Sequence, residues 1–247
     1  MEKIIFNSEI RCLPYKESLK RGFIGGGGAL LFFFLMLPLA LGALLPRCVL
    51  IPEFPVAVSL FSQLGLGAAT LAFLYGGKPL PEVLELGEWK MIYLKIGIPA
   101  GILMILLTAG VQASYCEIAR AFGFDLDGLN QVEQMVLNMN APGIVLLAVT
   151  AILVAPVVEE IFFRRVLFGF MAPRISWIPA LVVTSLAFGL IHADLKNLPG
   201  LIMLGVGFQL MYVWQKSLYP AIIMHMTNNI FAITALVFMK YYLGGKA

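Results

Sequence analysis

The chain reads as a succession of long apolar runs separated by short polar stretches. Gly22 to Pro46, Phe54 to Gly77 and Ile96 to Cys116 carry no charge. A fourth run, Gln134 to Val158, continues past two glutamates toward Met171. Ile175 to Ile191, Asn197 to Gln215 and Ser217 to Met239 follow, the last broken only by His225. A membrane-spanning helix needs about 20 mostly apolar residues. In lipid every backbone polar group must be satisfied within the segment or a closed barrel, and no alternating barrel pattern is present. The pattern therefore predicts an all-α polytopic transmembrane bundle of about seven spans (six to eight) around a buried polar cavity. Residues 1–247 form a single integral membrane domain with no repeat, linker or low-complexity tract.

Composition sharpens this. Hydrophobic residues make up 60% of the chain and charged residues only 13%, against about 25% charged in soluble proteins. A soluble domain of 247 residues could not cover so much apolar surface, and disorder is excluded by the same numbers. The net charge of +3 is small and scattered, so nucleic acid is not an expected partner. Cys12, Cys48 and Cys116 give neither a disulfide framework nor metal-ligand spacing.

Lysine and arginine predict orientation. Residues 1–21 hold Lys3, Arg11, Lys16, Lys20 and Arg21 and read as a cytoplasmic interfacial segment. Lys78, Lys90, Lys95, Arg164, Arg165, Arg174 and Lys216 then fall on the same side, leaving Arg47, Arg120, Lys196, Lys240 and Lys246 opposite. The N-terminus is expected inside and the C-terminus outside. A further short span within residues 113–141 would reverse the C-terminus. The first run is too long for a signal-peptide core and reads as a retained anchor. Residues 79–95 are expected at the cytoplasmic interface and residues 117–140 in an external loop with a partial helix. The Gly25–Gly28 run and the Gly97/Gly101 pair read as small faces for close helix packing.

Ionisable groups within spans are expensive and mark function by default. Those left after the loops are set aside are Glu159, Glu160, Arg164, His192 and His225. Glu160 and Arg164 stand four apart and share a helix face, so they can pair. Glu159, turned by about 100°, is left as the carboxylate available for general-base work. Pro156 lacks an N–H and is expected to free the carbonyl of Ile152. Phe188 precedes His192 by four residues and can brace its ring. His225 and Asn229, again four apart, place an imidazole and a carboxamide on one face, suited to an oxyanion site or to polar contacts between helices. At 1.5 Å per residue Glu159, His192 and His225 lie about 18, 22 and 12 Å from their expected cytoplasmic helix ends. They thus share one slab about 10 Å thick, which favours a single buried site over separate structural roles.

A glutamate pair with a following arginine, then Phe-x-x-x-His, then His-x-x-x-Asn, resembles the CPBP family of intramembrane proteases, which includes type II CAAX prenyl proteases and bacteriocin-linked (Abi-like) relatives. The resemblance covers residues 142–232. It implies a cavity open to the cytosolic leaflet and a metal-independent, glutamate-dependent endopeptidase acting on membrane-anchored or lipidated substrates. Carried over by position, Glu159 activates water and His192 helps hold it. His225 and Asn229 stabilise the oxyanion, and Glu160 and Arg164 support Glu159. Relatives often have a small residue where this chain has Arg165, a change expected at the cytoplasmic mouth. No cofactor is expected. One alternative is a zinc hydrolase using Glu159, His192 and His225 as ligands; another is a non-catalytic immunity or scaffold protein, or a small transporter. Ser185 lacks the flanking glycines of a serine nucleophile. The short loops suit a prokaryotic cell membrane. The sequence assigns no oligomeric state.

Overall fold

A computed structural model describes residues 53–74, 89–124, 126 and 131–243. The expected first span, its Gly25–Gly28 run and the interfacial segments 1–21 and 79–88 lie outside these. The described chain is helical. In order it forms α1 (Glu53–Leu74), α2 (Ile92–Ala121), α3 (Gln131–Asn138), a long α4 (Ala141–Ile175), α5 (Trp177–Leu190), α6 (Leu198–Gln215) and α7 (Leu218–Phe238), which continues as a wider turn over Met239–Leu243. Five of these helices, α1, α2, α4, α6 and α7, are long and apolar enough to cross a membrane, and α5 is a shorter apolar helix.

Two boundaries differ from the hydropathy reading. The third run begins at Ile92 and ends at Ala121, because Lys95, Glu117 and Arg120 join helix ends that an uncharged window cannot include. The fourth is split. Gln131–Asn138 is a separate short helix, and α4 starts at Ala141 because Asn140 caps it: its side chain accepts from the Gly143 N–H at 2.8 Å. Pro142 then sits in the first turn, where no N–H is needed.

Packing follows small residues. A Cβ on Gly97 would lie 2.7 Å from Ile223 Cγ2, and one on Gly101 would lie 2.7 Å from Thr227 Cβ. Only glycine lets α2 approach α7 this closely, as the sequence suggested for this pair. Buried Asn228 fastens the same contact, donating to the carbonyls of Gly101 (3.3 Å) and Met224 (2.9 Å).

α4 carries the decisive local feature. It widens into π-helical turns over Thr150–Val154 and again over Ile161–Phe168, and such wide turns are frequent at functional sites. In the first, the Ala155 N–H bonds the Thr150 carbonyl, five residues back. Pro156 then falls opposite Ala151, not Ile152. The carbonyl it leaves without a backbone partner is therefore Ala151's, a one-residue correction to the α-helical expectation.

Candidate active site

Glu159 and Glu160 end the short α-helical stretch between the two wide turns, and both are buried, at 4% and 0% exposure. Glu160 faces the bundle centre. Its Oε2 lies 2.9 Å from Arg164 Nε, the pairing expected from their spacing. Arg164 is itself 1% exposed. It donates from Nη2 to the Gly205 carbonyl at 3.3 Å, and its guanidinium lies 5.0 to 5.7 Å from the ring centres of Phe163, Phe188 and Phe208. A desolvated cation gains from such aromatic faces, so the ion pair is walled in rather than wetted.

His225 completes the cluster in a way the spacing did not show. Its Nδ1 lies 3.0 Å from Glu160 Oε1. Its ring stacks on Phe208 at 4.6 Å and meets Phe188 edge-on at 5.8 Å. Glu160, ion-paired with Arg164, is the acceptor here, so Nδ1 donates. Nε2 is then turned toward Glu159, 4.0 Å from its Oε2. The imidazole is thus bracketed by two adjacent carboxylates. Glu159 is not left without partners as its rotation suggested: its Oε1 accepts from Gln63 Nε2 of α1 at 2.5 Å, while its buried Oε2 has no hydrogen bond.

His192 and Asn229 stand in a second layer. His192 lies in the turn after α5, its Nδ1 2.7 Å from the Phe188 carbonyl and its ring 4.9 Å from that of Phe188. That bond places the proton on Nδ1 and leaves Nε2 as the acceptor. Phe188 therefore touches both imidazoles, but His192 makes no hydrogen bond or ion pair with Glu159. Asn229 donates from Nδ2 to the Ala151 carbonyl at 2.6 Å, the group that Pro156 leaves open. One amide hydrogen and Oδ1 remain for other partners.

A cavity of about 900 Å³ is lined by His192, Asn228 and Asn229 together with Thr108, Gln112 and Lys196. It opens at the end of the bundle where α3, the 193–197 turn and the end of α7 meet. Lys240 donates to the carbonyls of Val136, Leu137 and Met139 and so fastens α3 there. Lys90, Lys95, Arg174 and Lys216 belong to the opposite end, with the starts of α2 and α7 and the close of α4 and α6. This cavity and the basic end thus lie at opposite ends of the described bundle, and Glu159, Glu160 and His225 are not among its lining. Arg165 is not at a mouth either: it is 3% exposed, inside the bundle. Ser185 is buried against Gly205. Among the described residues, no three His, Cys, Asp or Glu side chains are grouped to hold a metal ion.

Comparison with known proteins points the same way as the motifs. Residues 141–231 match the model of the type II CAAX prenyl endopeptidase Rce1-like family. That segment resembles the Rce1-like family. It contains every motif residue of the cluster, and Gln63 is outside it. Over 134 residues the chain is 27% identical to a Bacillus subtilis (strain 168) protein named "Putative membrane peptidase YdiL", covering 54% of this chain and 53% of that one. Over 87 residues it is 41% identical to the membrane-embedded CAAX protease MroQ of Staphylococcus aureus (strain USA300), covering 33% and 35%. The chain thus spans about half the length, or less, of these curated relatives. No solved structure matches.

Sequence reasoning missed Gln63, the Glu160–His225 bond and Asn228. A charged group in an apolar run stands out from hydropathy alone. Gln63 and Asn228 are neutral, though a carboxamide within a span is itself a usable signal.

Proposed function

We propose that the chain is an intramembrane endopeptidase in which Glu159 activates a water molecule for attack on a peptide carbonyl. The observation that carries this is the asymmetry of the carboxylate pair. Glu160 is committed to Arg164 and to His225 Nδ1. Glu159 keeps one buried, unbonded oxygen 4.0 Å from His225 Nε2. That gap is too long for a direct hydrogen bond, so this oxygen is left without a partner for the proton it is proposed to take.

In the proposed reaction, Glu159 Oε2 takes a proton as the water oxygen bonds to the carbonyl carbon. The remaining Asn229 amide hydrogen and a His225 carrying both ring protons donate to the developing oxyanion, and His192 Nε2 accepts the water's second hydrogen. Collapse of the intermediate breaks the C–N bond, and Glu159 returns its proton to the leaving amine. In a dry site such fixed groups act more strongly than in water. The reaction is metal-independent in this reading. The substrate class, from the Rce1-like match, is a membrane-anchored or lipidated peptide, and the setting is a prokaryotic cell membrane with the N-terminus cytoplasmic.

The test is proteomics of membrane peptides from cells carrying wild-type protein or Glu159→Gln. Termini that appear with the wild type, persist in strong chelator and vanish in the variant are expected. An unchanged set of termini sinks the protease reading, and loss of cleavage in chelator sinks the metal-independent form of it.

A further inference from the structure

Gln63 joins the site from α1, outside the family-matched segment. Its Nε2 lies 2.5 Å from Glu159 Oε1. Its own Oε1 is buried and without a partner. The register that brings it there is held one helical turn further on: Gly67, on the same face of α1, is close enough that a Cβ would lie 3.1 Å from Val158 Cγ2. So α1 is seated against the turn that presents Glu159.

A carboxylate rotates almost freely about its last bond unless something holds it. Here one oxygen is held and the other is turned toward His225. We infer that Gln63 is a positioning residue: it fixes the rotation of Glu159 so that Oε2 faces the water it activates. The inference rests on the protease reading above. It also means that a helix outside the Rce1-like segment sets how well that segment works.

The assay uses the full chain in proteoliposomes with a quenched peptide copied from a Glu159-dependent terminus. Gln63→Met keeps the length and loses both polar atoms. Gln63→Glu keeps the shape, loses the donor and sets carboxylate against carboxylate. Both are expected to lower kcat about 10- to 100-fold, the usual effect of misplacing a reacting group, with KM within about twofold. Apparent Tm for Gln63→Met is expected to stay within about 2 °C, since an apolar side chain costs a helix in lipid little. If Glu159→Gln is inactive while both Gln63 variants keep wild-type kcat, the inference falls and the protease reading stands. A rise in KM without loss of kcat, or a loss that only tracks a lowered Tm, also overturns it. If no terminus depends on Glu159, the protease reading falls, and the Gln63 role falls with it.

Discussion

Replacing Arg164 by methionine removes the cation from a cluster with no route to solvent. Glu160 is 0% exposed and Arg164 1%, so water cannot re-solvate the carboxylate left behind. Breaking a buried pair from one side costs about 3–5 kcal/mol, because the survivor is an uncompensated charge. Glu160 keeps its bond to His225 Nδ1 at 3.0 Å, which places the expected cost near the lower end, about 3 kcal/mol. For a chain of this size that corresponds to a fall in Tm of about 6–12 °C. The double variant Glu160→Gln/Arg164→Met removes both charges and leaves a neutral amide against His225. It is expected to recover to within about 1 kcal/mol of wild type, since a neutral replacement of a buried pair is often near-neutral. The assay is thermal unfolding in one detergent at one scan rate, followed by tryptophan fluorescence. If Arg164→Met melts within 2 °C of wild type, or if the double variant is as unstable as the single, the pair is not a desolvated couple and the account of why Glu160, and not Glu159, is the carboxylate committed to the ion pair fails.

Two further expectations follow from the same structure. Asn229→Ala orphans the Ala151 carbonyl and should cost about 1–2 kcal/mol; in a Pro156→Ala background, where a backbone N–H is restored one wide turn on, the added cost should fall below about 0.5 kcal/mol, and simple additivity of the two changes in unfolding assays would refute the π-register explanation. With Cys12, Cys48 and Cys116 replaced by alanine, Ala193→Cys at the cavity mouth should react with a membrane-impermeant maleimide on intact cells, while Lys216→Cys should react only after permeabilisation; the reverse pattern would show that the basic end faces outward and the cavity the cytosol.

Much of this protein is written locally. Apolar runs of 18 residues or more determine that there are spanning helices and nearly where they lie, because a bilayer core enforces length and apolarity on each span separately. The i,i+4 pairing of Glu160 with Arg164, the bracing of His192 by Phe188 and the shared face of Gly97 and Gly101 follow from helix geometry within one element. The motifs that mark residues 141–231 as Rce1-like are of this kind too. What tertiary structure decided is everything that depends on two helices meeting. His225 is held by Glu160, 65 positions away, and Glu159 by Gln63, 96 positions away; no spacing rule reaches that far. The end at which the cavity opens is set by how α2, α5, α6 and α7 assemble, and the hydropathy of each span is blind to it. The register of α4 was hidden for a different reason. A π turn changes which carbonyl a proline leaves open, from Ile152 to Ala151, and it is the side chain of Asn229 on α7, a neighbour in space only, that supplies the missing hydrogen bond.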